Sequence, residues 1–97
     1  MNDKIIKSKI MEYAEKLLSP MLVENATLYS EIEDTNIWLI ETDTQEEYWV
    51  LSGIYPSNIY KKSGIYNDEK IVYASYIEML EEANNIEEER DRYQYPH

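Results

Sequence analysis

The residues of this chain that could do chemistry are almost all carboxylates. The single histidine, His97, follows Pro96 in a segment that reads as a loose tail, and there is no cysteine. A Ser-His-Asp or Cys-His arrangement needs a histidine held inside the fold, so neither is expected. The two glycines, Gly53 and Gly64, lie too far apart for a phosphate-binding loop. We therefore expect no catalytic residues and no cofactor.

Carboxylates alone could bind a hard cation or act as an acid–base pair. Ca²⁺ and Mg²⁺ prefer oxygen ligands, but the sequence contains no D-x-D-x-D-G loop. Neighbouring carboxylates such as Glu46 and Glu47 point in different directions on a strand. A glycosidase-type pair would need a substrate cleft, which a chain of 97 residues rarely provides. The sequence therefore predicts no metal site and no enzyme.

The distribution of the acidic residues is more informative than their chemistry. The net charge is −11, and residues 21–60 contain eight acidic side chains and no lysine or arginine. A surface of one sign repels nucleic-acid phosphates and anionic membranes, and it attracts a basic protein. We therefore predict a basic protein partner, with no direct nucleic-acid or membrane binding. Solubility is the alternative explanation of the same charge.

The aromatic composition points to an interface as well. Ten tyrosines and no phenylalanine are present, although a core has no need of the hydroxyl. We assign Tyr13, Tyr73 and Tyr76 to helix–sheet edges, with their hydroxyls in water. The tyrosines that alternate with acidic residues are candidates for binding. The predicted partner-binding residues are Glu31, Glu33, Asp34, Glu41, Asp43, Glu46, Glu47, Tyr29, Tyr48, Tyr55 and Tyr60.

Three segments have the pattern of antiparallel strands. Polar and apolar residues alternate at 26–33, while β-branched and aromatic residues fill 37–42 and 47–54. Whether residues 59–60 begin a short fourth strand is left undecided, so the sheet is expected to have three or four strands. One face of the sheet is expected to meet the helices and the other to be an exposed surface of Trp and Tyr. In the first strand, the alternation places four residues on one face: Ala26, Leu28, Ser30 and Ile32.

Two helices are expected to flank this sheet. Apolar residues spaced three or four apart predict a helix at 3–18, which Pro20 ends. A second helix begins after Asn67 or Asp68, and its continuation past Asn84 is left open. The fold class is α+β, a single small domain at 1–92 in the order α-β-β-β-(β)-α, followed by a loose tail at 93–97. Because no apolar run is long enough to span a bilayer, a cytoplasmic location is predicted.

Together these patterns predict an acidic inhibitor or antidote. It would cover a basic, nucleic-acid-binding surface on a nuclease, toxin or defence effector. Toxin immunity proteins and phage-encoded anti-defence inhibitors often have this size and charge, and DNA mimicry is a special case of the hypothesis. The alternative is a self-assembling or adaptor subunit that uses the aromatic sheet face, with a homodimer burying Trp38 or Trp49. A third hypothesis is a carrier of a small ligand, with a binding pocket between helix and sheet.

Overall fold

In the computed structural model, the chain forms a four-stranded antiparallel sheet with a helix against each face. The structure describes the backbone of residues 3–94 and the side chains of residues 5–83. The predicted α+β class and the predicted element order are confirmed, including the short fourth strand. The elements are α1 (Asp3–Leu18), β1 (Val23–Ile32), β2 (Thr35–Thr42), β3 (Glu47–Gly53), β4 (Asn58–Lys61), a 3₁₀ turn (Gly64–Asn67) and α2 (Glu69–Gln94).

The strands follow one another across the sheet in the order β1-β2-β3-β4. All neighbouring pairs are antiparallel. The β1–β2 turn and the β3–β4 loop therefore lie at one end of the sheet. The β2–β3 turn lies at the other end, together with the start of β1 and the end of β4. Strands β1 and β4 are the two edges.

Strand β1 is irregular, and this changes which face its side chains occupy. Its register against β2 shifts between Val23 and Asn25 and again between Leu28 and Ser30. A bulge turns the residues that follow it towards the opposite face. Ala26 therefore lies in the core under α1, whereas Ile32 packs against the core under α2. The prediction that Ala26 and Ile32 share one face is wrong for this reason.

Two hydrophobic cores fill the space between the sheet and its helices. The core under α1 includes Ala14 and Trp38, and the core under α2 includes Trp49 and Val72. Trp38 is only 6% exposed and Trp49 only 1%. The prediction of an exposed Trp and Tyr face is therefore wrong. The cause is visible in β2 and β3, where apolar residues occupy consecutive positions, as is typical of strands buried on both sides.

The C-terminal helix is longer than the sequence pattern indicated. The backbone of α2 is continuous through Asn84 and Asn85, and its last residue, Gln94, overlaps the predicted tail at 93–97. The remaining part of that predicted tail, 95–97, lies outside the described residues. None of the described helices combines the length and apolar character needed to cross a membrane.

Candidate protein-binding surface

The predicted acidic residues do not form one continuous field but lie at opposite ends of the sheet. Glu31, Glu33 and Asp34 flank or form the β1–β2 turn. The other four predicted carboxylates lie at the opposite end. Because β2 separates the two groups, they are roughly 25–30 Å apart along the strand direction. The second group consists of Glu41, Asp43, Glu46 and Glu47.

Two lysines of the chain itself neutralise part of the group near the β2–β3 turn. Lys61 Nζ lies 3.3 Å from Glu46 Oε1, and Lys62 Nζ lies 3.7 Å from Glu47 Oε1. The Tyr48 hydroxyl also donates a hydrogen bond to Glu46 Oε2 at 2.8 Å. That hydrogen bond and the Lys61 ammonium lower the pKa of Glu46. We call Glu46, Glu47, Lys61 and Lys62 the lysine-paired end, because the two lysines neutralise part of the charge of the two glutamates.

Asp43 has a structural role at the same end. Its Oδ1 accepts a hydrogen bond from the backbone N–H of Leu22 at 3.1 Å, and its own N–H donates to the Leu22 carbonyl at 3.0 Å. The β2–β3 turn is thereby tied to the segment that precedes β1. Glu41 is exposed and lies directly opposite Glu47 in the β2–β3 register. Of the four carboxylates, only Glu41 forms no ion pair or side-chain hydrogen bond with another described residue.

The opposite end of the sheet carries three carboxylates that form no ion pair with any described residue. Glu31, Glu33 and Asp34 are all exposed, and within the described residues none of them forms an ion pair. Beside Glu33 and Asp34, Ile54 is 73% exposed and Tyr55 is 47% exposed. We call these five residues the acidic turn surface. It combines unpaired negative charge with a large exposed aliphatic side chain and an exposed aromatic one, which is the composition of a protein-binding surface.

Glu33 occupies a backbone conformation that does not favour it. Its φ is 52°, in the left-handed region. This conformation costs roughly 1–2 kcal/mol for a residue other than glycine or asparagine. A two-residue turn between paired strands ordinarily takes Gly, Asn or Asp at such a position. The presence of Glu here therefore favours a role for its carboxylate beyond forming the turn.

The hydroxyl of Tyr73, on α2, is affected by three residues of the acidic turn surface. Burial raises the pKa of the Tyr73 hydroxyl, and the nearby Glu33 carboxylate raises it further. Asp34 and Tyr55 add smaller contributions in the same direction. These polar groups therefore lie close enough to interact, although they come from three separate elements. The sequence pattern did not bring Tyr73 together with the turn, because the contact depends on where α2 crosses the sheet.

Gly53 fixes the turn against the start of the β3–β4 loop. It pairs with Thr35 across the strands, and a Cβ at this position would overlap the carbonyl oxygen of Asp34. No residue with a side chain fits there without moving the backbone. The close approach at Gly53 is thus what places Asp34 next to Ile54.

The β3–β4 loop is held by one tyrosine from each helix. The Tyr13 hydroxyl of α1 donates to the Ser57 carbonyl at 2.9 Å, and the Tyr76 hydroxyl of α2 donates to the Pro56 carbonyl at 2.8 Å. Burial raises the pKa of both hydroxyls. The prediction that these hydroxyls face water is wrong, since both satisfy backbone carbonyls of the loop. The loop that carries Tyr55 is therefore anchored on both sides of the sheet.

The four predicted binding tyrosines differ in what the fold leaves accessible. Tyr48 is 9% exposed and belongs to the core under α1. Tyr60 is half-buried, with its ring centre 5.6 Å from that of Tyr66. Tyr29 is 53% exposed and packs edge-on against Trp49 at 5.0 Å between ring centres. Only Tyr55 joins the acidic turn surface.

One exposed member of this surface was not predicted. Ile54 follows the last residue of β3, and a lone apolar residue beside a loop carries no periodic signal of exposure. Among the side chains that the structure describes, no three His, Cys, Asp or Glu converge to hold a metal ion.

Comparisons of this chain with protein-family models, with curated proteins and with solved structures find no match.

Proposed function

We propose that this protein is an acidic inhibitor or antidote that binds a basic surface of another protein through its acidic turn surface. The observation that carries the proposal is the cluster of carboxylates that form no ion pair with a described residue, next to exposed Ile54 and Tyr55. The anchored β3–β4 loop and the close packing at Gly53 support it. A surface held rigid before binding loses less conformational entropy when it docks.

The two kinds of side chain would contribute differently to binding. The carboxylates of Glu31, Glu33 and Asp34 attract a cationic surface from a distance and mainly raise the association rate. Ile54 and Tyr55 supply apolar area that is lost from water on contact, which mainly slows dissociation. The lysine-paired end adds to the long-range field, but its own lysines satisfy part of its charge.

The partner class follows from this complementarity. A basic surface that binds nucleic acid, on a nuclease, a toxin or a defence effector in the cytoplasm, has the required charge. Covering it would block its access to phosphates without any reaction. DNA mimicry is a narrower form of the proposal, and the internal pairing of Glu46 and Glu47 favours docking through one end of the sheet over a continuous row of phosphate-like charges.

The test is affinity capture from a bacterial lysate with three forms of the protein as bait. The first is the unchanged chain, and the second removes the turn charges by Glu31→Gln, Glu33→Gln and Asp34→Asn. A matched control, Glu12→Gln/Glu15→Gln/Glu78→Gln, alters the net charge equally at exposed helix positions. Bound proteins are identified by mass spectrometry after washes at low and at high salt.

We expect one basic protein to remain on the unchanged bait and on the control bait at low salt. It should be lost from the turn variant and from all baits at high salt, because exposed charge pairs are screened. Equal retention by the turn variant would refute the assignment of the surface. Capture of nothing except the chain itself would favour the self-assembling alternative, which sedimentation of the free protein would then measure.

A further inference from the structure

The two edges of the sheet are protected to different degrees. β4 is four residues long, and Pro56 precedes it and Lys61 ends it, which are common ways of preventing edge-to-edge pairing. β1 is ten residues long, pairs only with β2, and contains neither lysine nor proline. Its outer edge therefore offers backbone N–H and C=O groups with no second strand beside them within residues 3–94.

The regular part of this edge is short and well defined. The register shifts of β1 bracket a continuous run from Asn25 to Leu28, paired without interruption to β2. Within it, Thr27 is exposed and Leu28 is 42% exposed. An added strand would pair with these four residues, and the bulges would limit further pairing.

A groove beside the same run could take a side chain of the added strand. It has a volume of about 370 Å³ and lies between the first half of α1 and strands β1 and β2. Its apolar lining includes Ile6, Leu28 and Trp38, and the charged side chains that line it are Lys7 of α1 and Glu31 of β1. Alternate side chains of an added strand point to the α1 face of the sheet, where this groove lies.

Charge distinguishes between the occupants of this edge. If two copies paired their β1 edges antiparallel about the midpoint of Thr27 and Leu28, Glu24 of each copy would lie near Glu31 of the other, at the two ends of the paired run. Like charges directly opposite each other destabilise a strand pair, and each copy also carries a net charge of −11. A segment with cationic residues at both ends would instead place opposite charges at Glu24 and Glu31.

We infer that the β1 edge binds an extended, cationic segment of the partner, which adds as a fifth strand. Four residues of the segment pair with Asn25–Leu28, an apolar side chain enters the groove, and Lys or Arg residues on either side of the paired run lie near Glu24 and Glu31. This inference rests on the proposed function, because it names the form in which the basic partner is recognised. Backbone pairing supplies affinity, and the charges select the partner.

The inference is tested on the whole protein with a synthetic peptide, Gly-Lys-Thr-Ser-Val-Thr-Leu-Val-Lys-Gly, at low salt; its lysines are seven positions apart, as are Glu24 and Glu31. We expect saturating peptide to slow backbone amide exchange at outward-facing positions within 25–28 by at least about tenfold. The same peptide with both lysines replaced by glutamate should give no protection. Thr27→Lys, which places a cation on the edge, should weaken binding about tenfold or more.

Ser8→Lys is the matched control, since it adds the same charge at an exposed position of α1 outside the groove. It should bind the lysine peptide nearly as well as the unchanged chain. Absence of protection at 25–28 would overturn the inference. So would protection at 25–28 in a dimer without peptide, which would mean that a second copy occupies the edge. A captured partner that depends on the turn carboxylates but not on Thr27 would leave the proposed function standing alone.

Discussion

Replacing Glu33 by glycine separates the contribution of its carboxylate from the cost of its backbone conformation. Glu33 has a φ of 52°, which glycine adopts without strain. Relief of the strain stabilises the folded state by roughly 1–2 kcal/mol. The added freedom of glycine in the unfolded chain offsets about 0.5–1 kcal/mol of this gain. We therefore expect Glu33→Gly to stabilise the protein by about 0.5 kcal/mol, and to raise Tm by roughly 2–4 °C.

The second part of the prediction concerns the loss of the charge. Glu33→Gly should weaken binding to the basic partner, chiefly by slowing association at low salt. It should also lower the pKa of the Tyr73 hydroxyl, because the Glu33 carboxylate contributes to raising it. Thermal unfolding, association kinetics and tyrosine absorbance during an alkaline titration measure the three effects.

Gln45→Gly is the control for this experiment. Gln45 also has a positive φ, 69°, but it lies in the β2–β3 turn at the other end of the sheet and carries no charge. Its replacement should raise Tm by a similar amount and leave both association and the Tyr73 titration unchanged. A lower Tm for Glu33→Gly would refute the reasoning, because it would make the Glu33 carboxylate a stabilising group of the fold.

Three further perturbations test the scaffold. Trp49→Phe should lower the free energy of unfolding in urea by about 1–2 kcal/mol more than Trp38→Phe does. The Trp49 indole donates a hydrogen bond to the Tyr66 carbonyl at 2.6 Å, whereas the buried Trp38 indole nitrogen has no acceptor among the described residues. Equal losses of stability in the two variants would contradict this. Gly53→Ala should destabilise by about 2–3 kcal/mol in the same assay, and an unchanged midpoint would mean that the turn moves freely. The free energy of unfolding, followed by circular dichroism, should fall as the pH rises above 10.0, the ordinary pKa of tyrosine. The reason is that five tyrosine hydroxyls hold their protons more tightly in the folded state than in the unfolded chain. A flat profile to about pH 11 would contradict this prediction. The hydroxyls whose pKa burial raises are those of Tyr13, Tyr48, Tyr60, Tyr73 and Tyr76.

Local periodicity predicted the elements well where a single physical rule decides them. The boundaries of α1 agree with the prediction because a proline and an apolar stripe define them. The strands were predicted in the correct order, with β1 three residues short at its start. The side-chain assignment in β1 failed beyond Leu28, because a bulge depends on pairing with β2 and leaves no mark in the pattern of one strand.

The candidate surface was predicted in its composition but not in its arrangement. Eight acidic residues without a basic neighbour in the sequence suggested one field. The fold separates them, and β4 brings Lys61 and Lys62 to two of them. Such pairings join residues about fifteen positions apart through strand order, which composition cannot reveal. Burial of Tyr48 has the same origin, since the face it occupies depends on where α1 packs.

The anchored β3–β4 loop has a consequence for the cooperativity of unfolding. Tyr13 and Ser57 are 44 residues apart in sequence, and Pro56 and Tyr76 are 20 apart, yet their bonds meet on adjacent carbonyls. The cores on the two faces of the sheet are thereby linked through one short segment as well as through the strands. Detachment of either helix releases one of the two restraints on this segment and weakens the hold on the other helix. The α1 layer and the α2 layer are thus coupled into one folding unit. A partner bound to Tyr55 would stabilise the loop and so suppress the detachment of both helices.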